Sequence, residues 1–325
     1  MKNGIFVIAE QLRGELTDTT FEMLGLGREI AATLEIPLHA VLLGKGSASL
    51  SSKLGTADSV IVLDGAFLEM PTPDVVAAAI SNLMSKKPAA LVLIPGTNIF
   101  IGVGPVLSAR TEIPFVNFCK DLQIKDQAVI LTCQLFGGKI FADIRLPENR
   151  GIVSIYPGSF TPEAGRSDRV PPVEIIEVGR EETKVTFKRF IEPDAGDVDI
   201  TQQDVLVAVG RGIQSQDNLQ LAEELAAALG GAVCASRPVI DQGWLPLSRQ
   251  VGKSGMIVKP KLYLALGISG APEHTEGMKG AQLIISINTD PKAPIFNVSH
   301  YGVCQDVLEL LPLLTEELKT QKVRG

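Results

Sequence analysis

The sequence predicts an α/β protein of two domains, the first a mostly parallel sheet with an antiparallel part and the second a doubly wound parallel sheet. Three observations predict it. The chain has 325 residues, about twice the length of a typical domain. Short apolar runs alternate with stretches of helical period in both halves, which is the pattern of βαβ units. Between them, Glu177 to Asp199 carries many charges, one Pro and few bulky apolar side chains, as a segment crossing the surface does. The boundary is expected near Pro193, giving residues 1–192 and 193–325.

In the first domain, Ile5 to Ala9, Leu38 to Leu42, Ser59 to Leu63 and Leu91 to Ile94 read as strands, and Thr19 to Leu34 and Asp74 to Lys86 as helices. Gly102-Val103-Gly104, followed by Pro105, reads as a helix start. From Phe115 to Tyr156 the rhythm changes to consecutive strand-like runs. Gly137-Gly138 marks a hairpin between Val129 to Phe136 and Lys139 to Leu146. That places an antiparallel edge on a mostly parallel sheet.

The alternation restarts with Val205 to Val209, Ala232 to Ala235, Leu262 to Leu266, Leu283 to Ile287 and Ile295 to Val298. After the first run, Asp217 can cap a helix, Leu221, Leu225 and Leu229 share one face, and Gly230 can stop it. Cys304 to Lys319 closes the chain as a helix that Pro312 should bend or divide.

Composition excludes several function classes. Hydrophobic residues make up 45% and charged residues 21%, the balance of a chain that folds around a sizeable core. Lys and Arg number 30 against 37 Asp and Glu, a net charge of −7, which leaves no electrostatic footprint for nucleic acid or an anionic membrane. Cys119, Cys133, Cys234 and Cys304 stand far apart, with no C-x-x-C and no His at ligand spacing. Disulfide frameworks, zinc sites and iron–sulfur clusters lack support, and buried thiols in a reducing compartment are expected. The apolar run Ile5 to Ala9 is too short for a signal-peptide core, and nothing reaches the ~18 apolar residues of a membrane span. A cytoplasmic protein without membrane insertion is expected.

In an open parallel sheet, ligands bind outside the carboxyl ends of the strands, so the residues after each apolar run carry the information. The runs of the second domain end in Gly210-Arg211-Gly212, Ser236-Arg237, Gly267-Ile268-Ser269-Gly270, Asn288 and Ser299-His300-Tyr301-Gly302. Glycines admit close backbone approach, hydroxyls and amides hydrogen-bond, and arginines keep a permanent positive charge. The rim suits a nucleotide-like anion. Gly210-Arg211-Gly212 taken alone marks no more than turn geometry, and it lacks the third Gly of the dinucleotide fingerprint. Ser236-Arg237 stands where a nicotinamide-dinucleotide site presents Asp or Glu, which argues against a simple NAD dehydrogenase. Arg249 to Gly255 is a polar, Gly-rich connection of the binding-loop type. It is not a phosphate-binding Walker loop, because Leu247 occupies the position of the first required Gly. His39 and Trp244 read as structural, while His274, just after Ser269-Gly270, fits either rim chemistry or structure.

The run Leu262-Tyr263-Leu264-Ala265-Leu266-Gly267-Ile268-Ser269-Gly270-Ala271, with His274, Gly277-Met278 and Ile287-Asn288, resembles the signature of the electron-transfer flavoprotein alpha subunit family. Ser236-Arg237-Pro238, Gly243-Trp244-Leu245-Pro246, Gln250-Val251-Gly252, Ser254-Gly255 and Ala293-Pro294-Ile295-Phe296 are similar to the same family, as are Val7 to Glu10 and Tyr156-Pro157-Gly158 more diffusely. The resemblance implies that the second domain holds FAD and that the first contributes to an interface with a beta subunit. Arg211, Ser236, Gln250, Val251, Gly252, Lys253, Ser254, Ser269, Gly270, Ala271, Pro272, Glu273, His274, Asn288, Asp306 and Val307 would line the FAD. By the same resemblance Arg237 would lie against the isoalloxazine, Ser254 would hydrogen-bond near N5, and His274 would face the O2 end. Guanidinium and imidazole there would ease reduction of the ring.

The implied role is an electron carrier, with no substrate turnover of its own, between flavin dehydrogenases such as acyl-CoA dehydrogenases and a quinone oxidoreductase or other acceptor. An electron-bifurcating complex using NADH and a second FAD is the alternative, and a nucleotide-binding module without redox work is a third reading. Lys253, Pro272, Glu273, Ser286 and Ser299-His300 depart from the family pattern. Lys253 and Glu273 add charges of opposite sign near the expected ring.

Overall fold

The structure, a computed structural model, describes residues 3–70, 72–179, 185, 187–188 and 197–324, and its packing divides into two compact units, Met1–Arg189 and Phe190–Gly325. The boundary expected near Pro193, and much of the charged segment between Glu177 and Asp199, lie outside the described residues.

The first unit is built on β1 (Gly4–Ile8), β2 (Leu38–Leu43), β3 (Ser59–Asp64), β4 (Ala89–Pro95), β5 (Phe115–Lys125), β6 (Ala128–Leu135), β7 (Ile140–Arg145), β8 (Gly151–Ile155) and β9 (Val173–Glu177). They form one nine-stranded sheet in the order β9-β3-β2-β1-β4-β8-β5-β6-β7. Pairing is parallel except at β5-β6 and β6-β7. The antiparallel part expected from the change of rhythm is therefore present, with its turn at Phe136–Gly138. Along β1, Ile5 and Val7 enter one core with α1 (Asp18–Leu34), while Phe6 and Ile8 enter another with α2 (Pro73–Lys86) and α3 (Val103–Thr111). A strand covered on both faces must be apolar throughout, which is why it shows no alternation. The edge strand β9 pairs with β3; its Val, Glu and Ile side chains are mostly exposed, and no sequence pattern announced it.

The second unit contains β10 (Val205–Val209), β11 (Ala232–Ala235), β12 (Leu262–Leu266), β13 (Leu283–Ile287) and β14 (Tyr301–Val303), all parallel, in the order β11-β10-β12-β13-β14. The chain passes outward in opposite directions from β10, so the topological switch point lies between β10 and β12. One face packs on α4 (Leu219–Leu229) and α7 (Val307–Arg324) through Leu225, Val307 and Leu311; the other buries Ile200, Val258, Met278 and Ile295. Trp244 is half-buried against the first of these cores, in the structural role expected for it.

Several sequence expectations are corrected here. Ile295 to Val298 is a 3-10 helix, Pro294–Val298, not a strand. Pro294 has no N–H to give a ladder, and a short apolar run carries no period that separates strand from buried helix. The fifth strand is β14, paired with β13. Helix α4 begins after Asn218, not Asp217, and the Asn218 amide donates to the Ile213 carbonyl. Gly230 does close α4, in the left-handed conformation that glycine tolerates best. Pro312 leaves α7 in one piece: it lies exposed while Leu311 and Thr315 stay buried on the packed side. Cys304 precedes α7 and is exposed, unlike the other three cysteines.

Candidate functional site

A cavity of about 980 Å³ opens at the carboxyl ends of the strands of the second unit, near the upper limit of roughly 300–1,000 Å³ usual for small-molecule and cofactor sites. Every strand contributes to it. Arg211 follows β10; Ser236 and Arg237 follow β11; Ser269, Ala271, Glu273 and His274 follow β12; Asn288 follows β13; Asp306 and Val307 follow β14. The connection between β11 and β12 adds Gln250, Val251, Gly252, Lys253 and Ser254. Arg211, Arg237, Ser254 and His274, far apart in sequence, thus share one wall system.

Two of the expected residues are not in the lining. Gly270 lies behind the rim with φ +87, where a Cβ would come 2.2 Å from the Ile295 nitrogen. Its neighbour Ser269 accepts the Ile295 N–H, so this glycine serves the junction of two loops. Pro272 is exposed in the first turn of α6 (Pro272–Glu276), where a missing N–H costs nothing. The lining also holds residues that the sequence did not mark as cavity-lining, such as Gln214, Thr289, Asp290, Pro294 and Gln305. Their positions just beyond strand ends were the only available signal, and the shift of the fifth strand concealed the last two.

The rim is fixed by backbone contacts at the switch point. Gly210 N–H donates to Leu266 and Gly212 N–H to Gly267. A Cβ on Gly212 would lie 2.5 Å from the Gly267 Cα, so the turns after β10 and β12 touch without any side chain between them. This is the cradle that a long, flat anion-bearing group needs in order to approach backbone. The Asn288 amide donates to the Ile268 carbonyl and accepts the Asp290 N–H, tying the turns after β12 and β13 together. Asp306 accepts the Leu308 N–H at the start of α7, whose amino end opens on the cavity; helix amino ends favour anions.

The loop from Gln250 to Met256 closes on itself. Met256 N–H donates to Gln250, Gly252 N–H to Met256 and Gly255 N–H to Gly252. Inside it, the buried Gln250 amide donates to the Ser254 hydroxyl at 2.9 Å. An oxygen that already accepts leaves its own hydrogen to be donated elsewhere. Arg249, beside this loop, pairs with Asp197 at 2.5 Å and donates to the Val233 carbonyl at 2.7 Å. The two side chains are 16% and 10% exposed. Burial pushes the Asp197 carboxyl up, but the hydrogen bonds from Arg249 and Ser248 outweigh it and hold the group below its ordinary value.

Charges in the lining are mixed. Arg211, Arg237 and Lys253 meet Asp241, Glu273, Asp290 and Asp306. Arg237 sits 3.4 Å from Asp241 one turn on in α5 (Arg237–Asp241), and Lys253 sits 4.0 Å from Glu276. His274 is 6% exposed. Its Nδ1 lies 3.1 Å from the Val251 carbonyl and its Nε2 3.0 Å from the Tyr263 hydroxyl. Burial pushes the imidazole down to about 4, with the Val251 carbonyl acting the other way.

Outside the cavity, His39 Nδ1 bonds the Ser59 hydroxyl, a structural role. Among the described residues, no cluster of His, Cys, Asp and Glu could hold a metal ion, and no helix is long and apolar enough to cross a membrane.

Residues 199–279 match the family model of the electron transfer flavoprotein FAD-binding domain, and residues 5–181 match that of the electron transfer flavoprotein domain. The chain is 36% identical to the electron transfer flavoprotein subunit alpha of Megasphaera elsdenii, over 98% of this chain and 97% of that protein. It is 34% identical to protein FixB of Clostridium saccharobutylicum, over 97% and 96%. It is also 32% identical to the lactate dehydrogenase (NAD(+),ferredoxin) subunit LctC of Acetobacterium woodii, over 96% of this chain and 76% of that subunit. The cavity fits the cofactor these matches imply, since its glycine-lined cradle, the open amino end of α7 and its basic side chains suit a dinucleotide. With family models covering both units and relatives matching nearly end to end, the chain belongs to the electron transfer flavoprotein family as an alpha subunit that binds FAD.

Proposed function

We propose that this chain, paired with a beta subunit, accepts electrons from flavin dehydrogenases such as acyl-CoA dehydrogenases and passes them to a quinone oxidoreductase or another acceptor in the cytoplasm. The observation that carries the reading is the convergence of loops from all five strands on one cavity that holds Arg211, Arg237, Lys253 and Ser254. Bound FAD supplies the redox chemistry, taking up and releasing one or two electrons. The protein's own groups bind it and set its potential. Positive side chains along the wall favour a cofactor that gains negative charge on reduction. Ser254, its oxygen engaged by Gln250, has a hydrogen to donate toward the ring. The switch-point glycines and the start of α7 would receive the pyrophosphate.

A second reading is favoured by the similarity to the lactate dehydrogenase (NAD(+),ferredoxin) subunit: membership of a complex with a second FAD in the beta subunit, reduced by NADH. Flavin stoichiometry and a redox titration of the co-purified heterodimer test both. One flavin per heterodimer, reduced by an acyl-CoA dehydrogenase, supports the carrier. Two flavins, one of them reducible by NADH, support the complex. A colourless heterodimer that takes up no added FAD overturns both readings.

A further inference from the structure

Behind the cavity wall lies a buried chain of polar groups that FAD binding by itself does not require. Tyr263 on β12 is fully buried, as is Cys234 on β11. Both side chains lie on the same side of the sheet, in one core with Leu206 and Ala208 of β10, the strand between them. The Tyr263 hydroxyl, which has the Cys234 thiol as an electrostatic neighbour, reaches His274 Nε2 at 3.0 Å. His274 Nδ1 faces the Val251 carbonyl at 3.1 Å. A carbonyl only accepts, so Nδ1 carries the ring proton. In the neutral imidazole Nε2 is then a bare acceptor, and the tyrosine hydroxyl is its donor. A charged ring would put a proton on Nε2, facing a hydroxyl that must then turn its own hydrogen away.

We propose that Tyr263 is a positioning residue that locks His274 as the neutral Nδ1–H tautomer, so that this stretch of the cavity wall is uncharged and its positive charge comes only from the arginines and Lys253. The assignment rests on the packing of the unit; its consequence for the flavin rests on the proposed function. The resemblance of the sequence implied a polarised imidazole that helps to stabilise reduced flavin. Both ring nitrogens are engaged by the chain, at Val251 and Tyr263. The charged side chains on the adjoining elements are Lys253 on the loop and Glu273 and Glu276 on the histidine's own helix. Lys253 pairs with Glu276, and Glu273 is exposed. Burial and the Val251 carbonyl govern the ring's titration.

The chain has three histidines, so nitrogen NMR of the co-purified heterodimer labelled with ¹⁵N-histidine can read the tautomer directly. His274→Asn identifies the signals by their loss. The expected result is an Nδ1–H ring at neutral pH in the parent protein. In Tyr263→Phe, the loss of the donor to Nε2 should lower the Nδ1–H population and shift the ring's titration midpoint upward. An Nε2–H or charged His274 in the parent at pH 7 overturns the proposal, as does a Tyr263→Phe protein with unchanged tautomer and midpoint. If Tyr263→Phe does not fold, the parent spectrum still decides. Flavin-free protein would count against the proposed function, and the nitrogen spectrum would judge the tautomer regardless.

Discussion

Gly212→Ala tests whether the backbone contact at the switch point shapes the flavin site. The new Cβ would meet the Gly267 Cα at 2.5 Å, whereas ordinary carbon contacts are about 3.5–4.0 Å. The two turns must therefore separate by roughly 1 Å, and the obstacle is backbone, which cannot rotate aside. Overpacking of this kind costs about 1–3 kcal/mol. Flavin-free protein can relieve the strain by opening the rim, but closing the rim on FAD restores it. Affinity should then weaken by roughly 5- to 150-fold at most, with a lower Tm for the second unit. Gly243→Ala is the control, because it lies outside the lining with φ +72 and nothing within 4 Å of its would-be Cβ. It should lose about 1–2 kcal/mol of stability to left-handed strain and leave affinity unchanged. The assay is a FAD titration of the heterodimer by flavin fluorescence, alongside thermal unfolding with and without FAD. Unchanged affinity in Gly212→Ala, or an equal loss in Gly243→Ala, would refute the reasoning.

Other substitutions probe the supports of the site. Asp197→Ala leaves Arg249 largely buried without its carboxylate and should destabilise the second unit by about 3–5 kcal/mol, read in urea unfolding; a midpoint within error of the parent would dismiss the pair. Because the folded Asp197 carboxyl is held below its ordinary value of 3.8, its stabilisation is complete above that value and disappears as pH falls through the lower folded value. The parent and Asp197→Ala stabilities should therefore converge only in acid, below about pH 4. Arg237→Ala removes a side chain that is 68% exposed; spectroelectrochemistry should show the flavin midpoint falling by roughly tens of millivolts, a modest effect because water screens the charge. No fall would exclude Arg237 from tuning the ring. Gln250→Leu frees the Ser254 oxygen to accept, so Gln250→Leu and Ser254→Ala should shift the potential non-additively; additive shifts would mean the two act separately.

Much of the fold was legible because local physics wrote it into the chain. β10 and β12 are buried on both faces and read as unbroken apolar runs, and α4 shows its face at Leu221, Leu225 and Leu229 and its stop at Gly230. The misreadings fall where the signal is local but the decision is not. Ile295 to Val298 is as apolar as a strand, yet Pro294 and the hydrogen bond from Ile295 to Ser269 make it helical. β9 is exposed and charged, and only its pairing with β3 makes it a strand.

The sequence by itself determined the parallel α/β character of the second unit, the ends of its first four strands and the residue types that gather there, because strand period, glycine and proline act over a few residues. Only the tertiary structure decided which of those residues face one another. Gly270 left the lining for a loop junction, Gln250 came to hold Ser254, and Tyr263, apparently one more core residue of a strand, came to lie against His274. Contacts between residues distant in sequence depend on strand order and on how the loops beyond the strands fold back, and no local pattern encodes either.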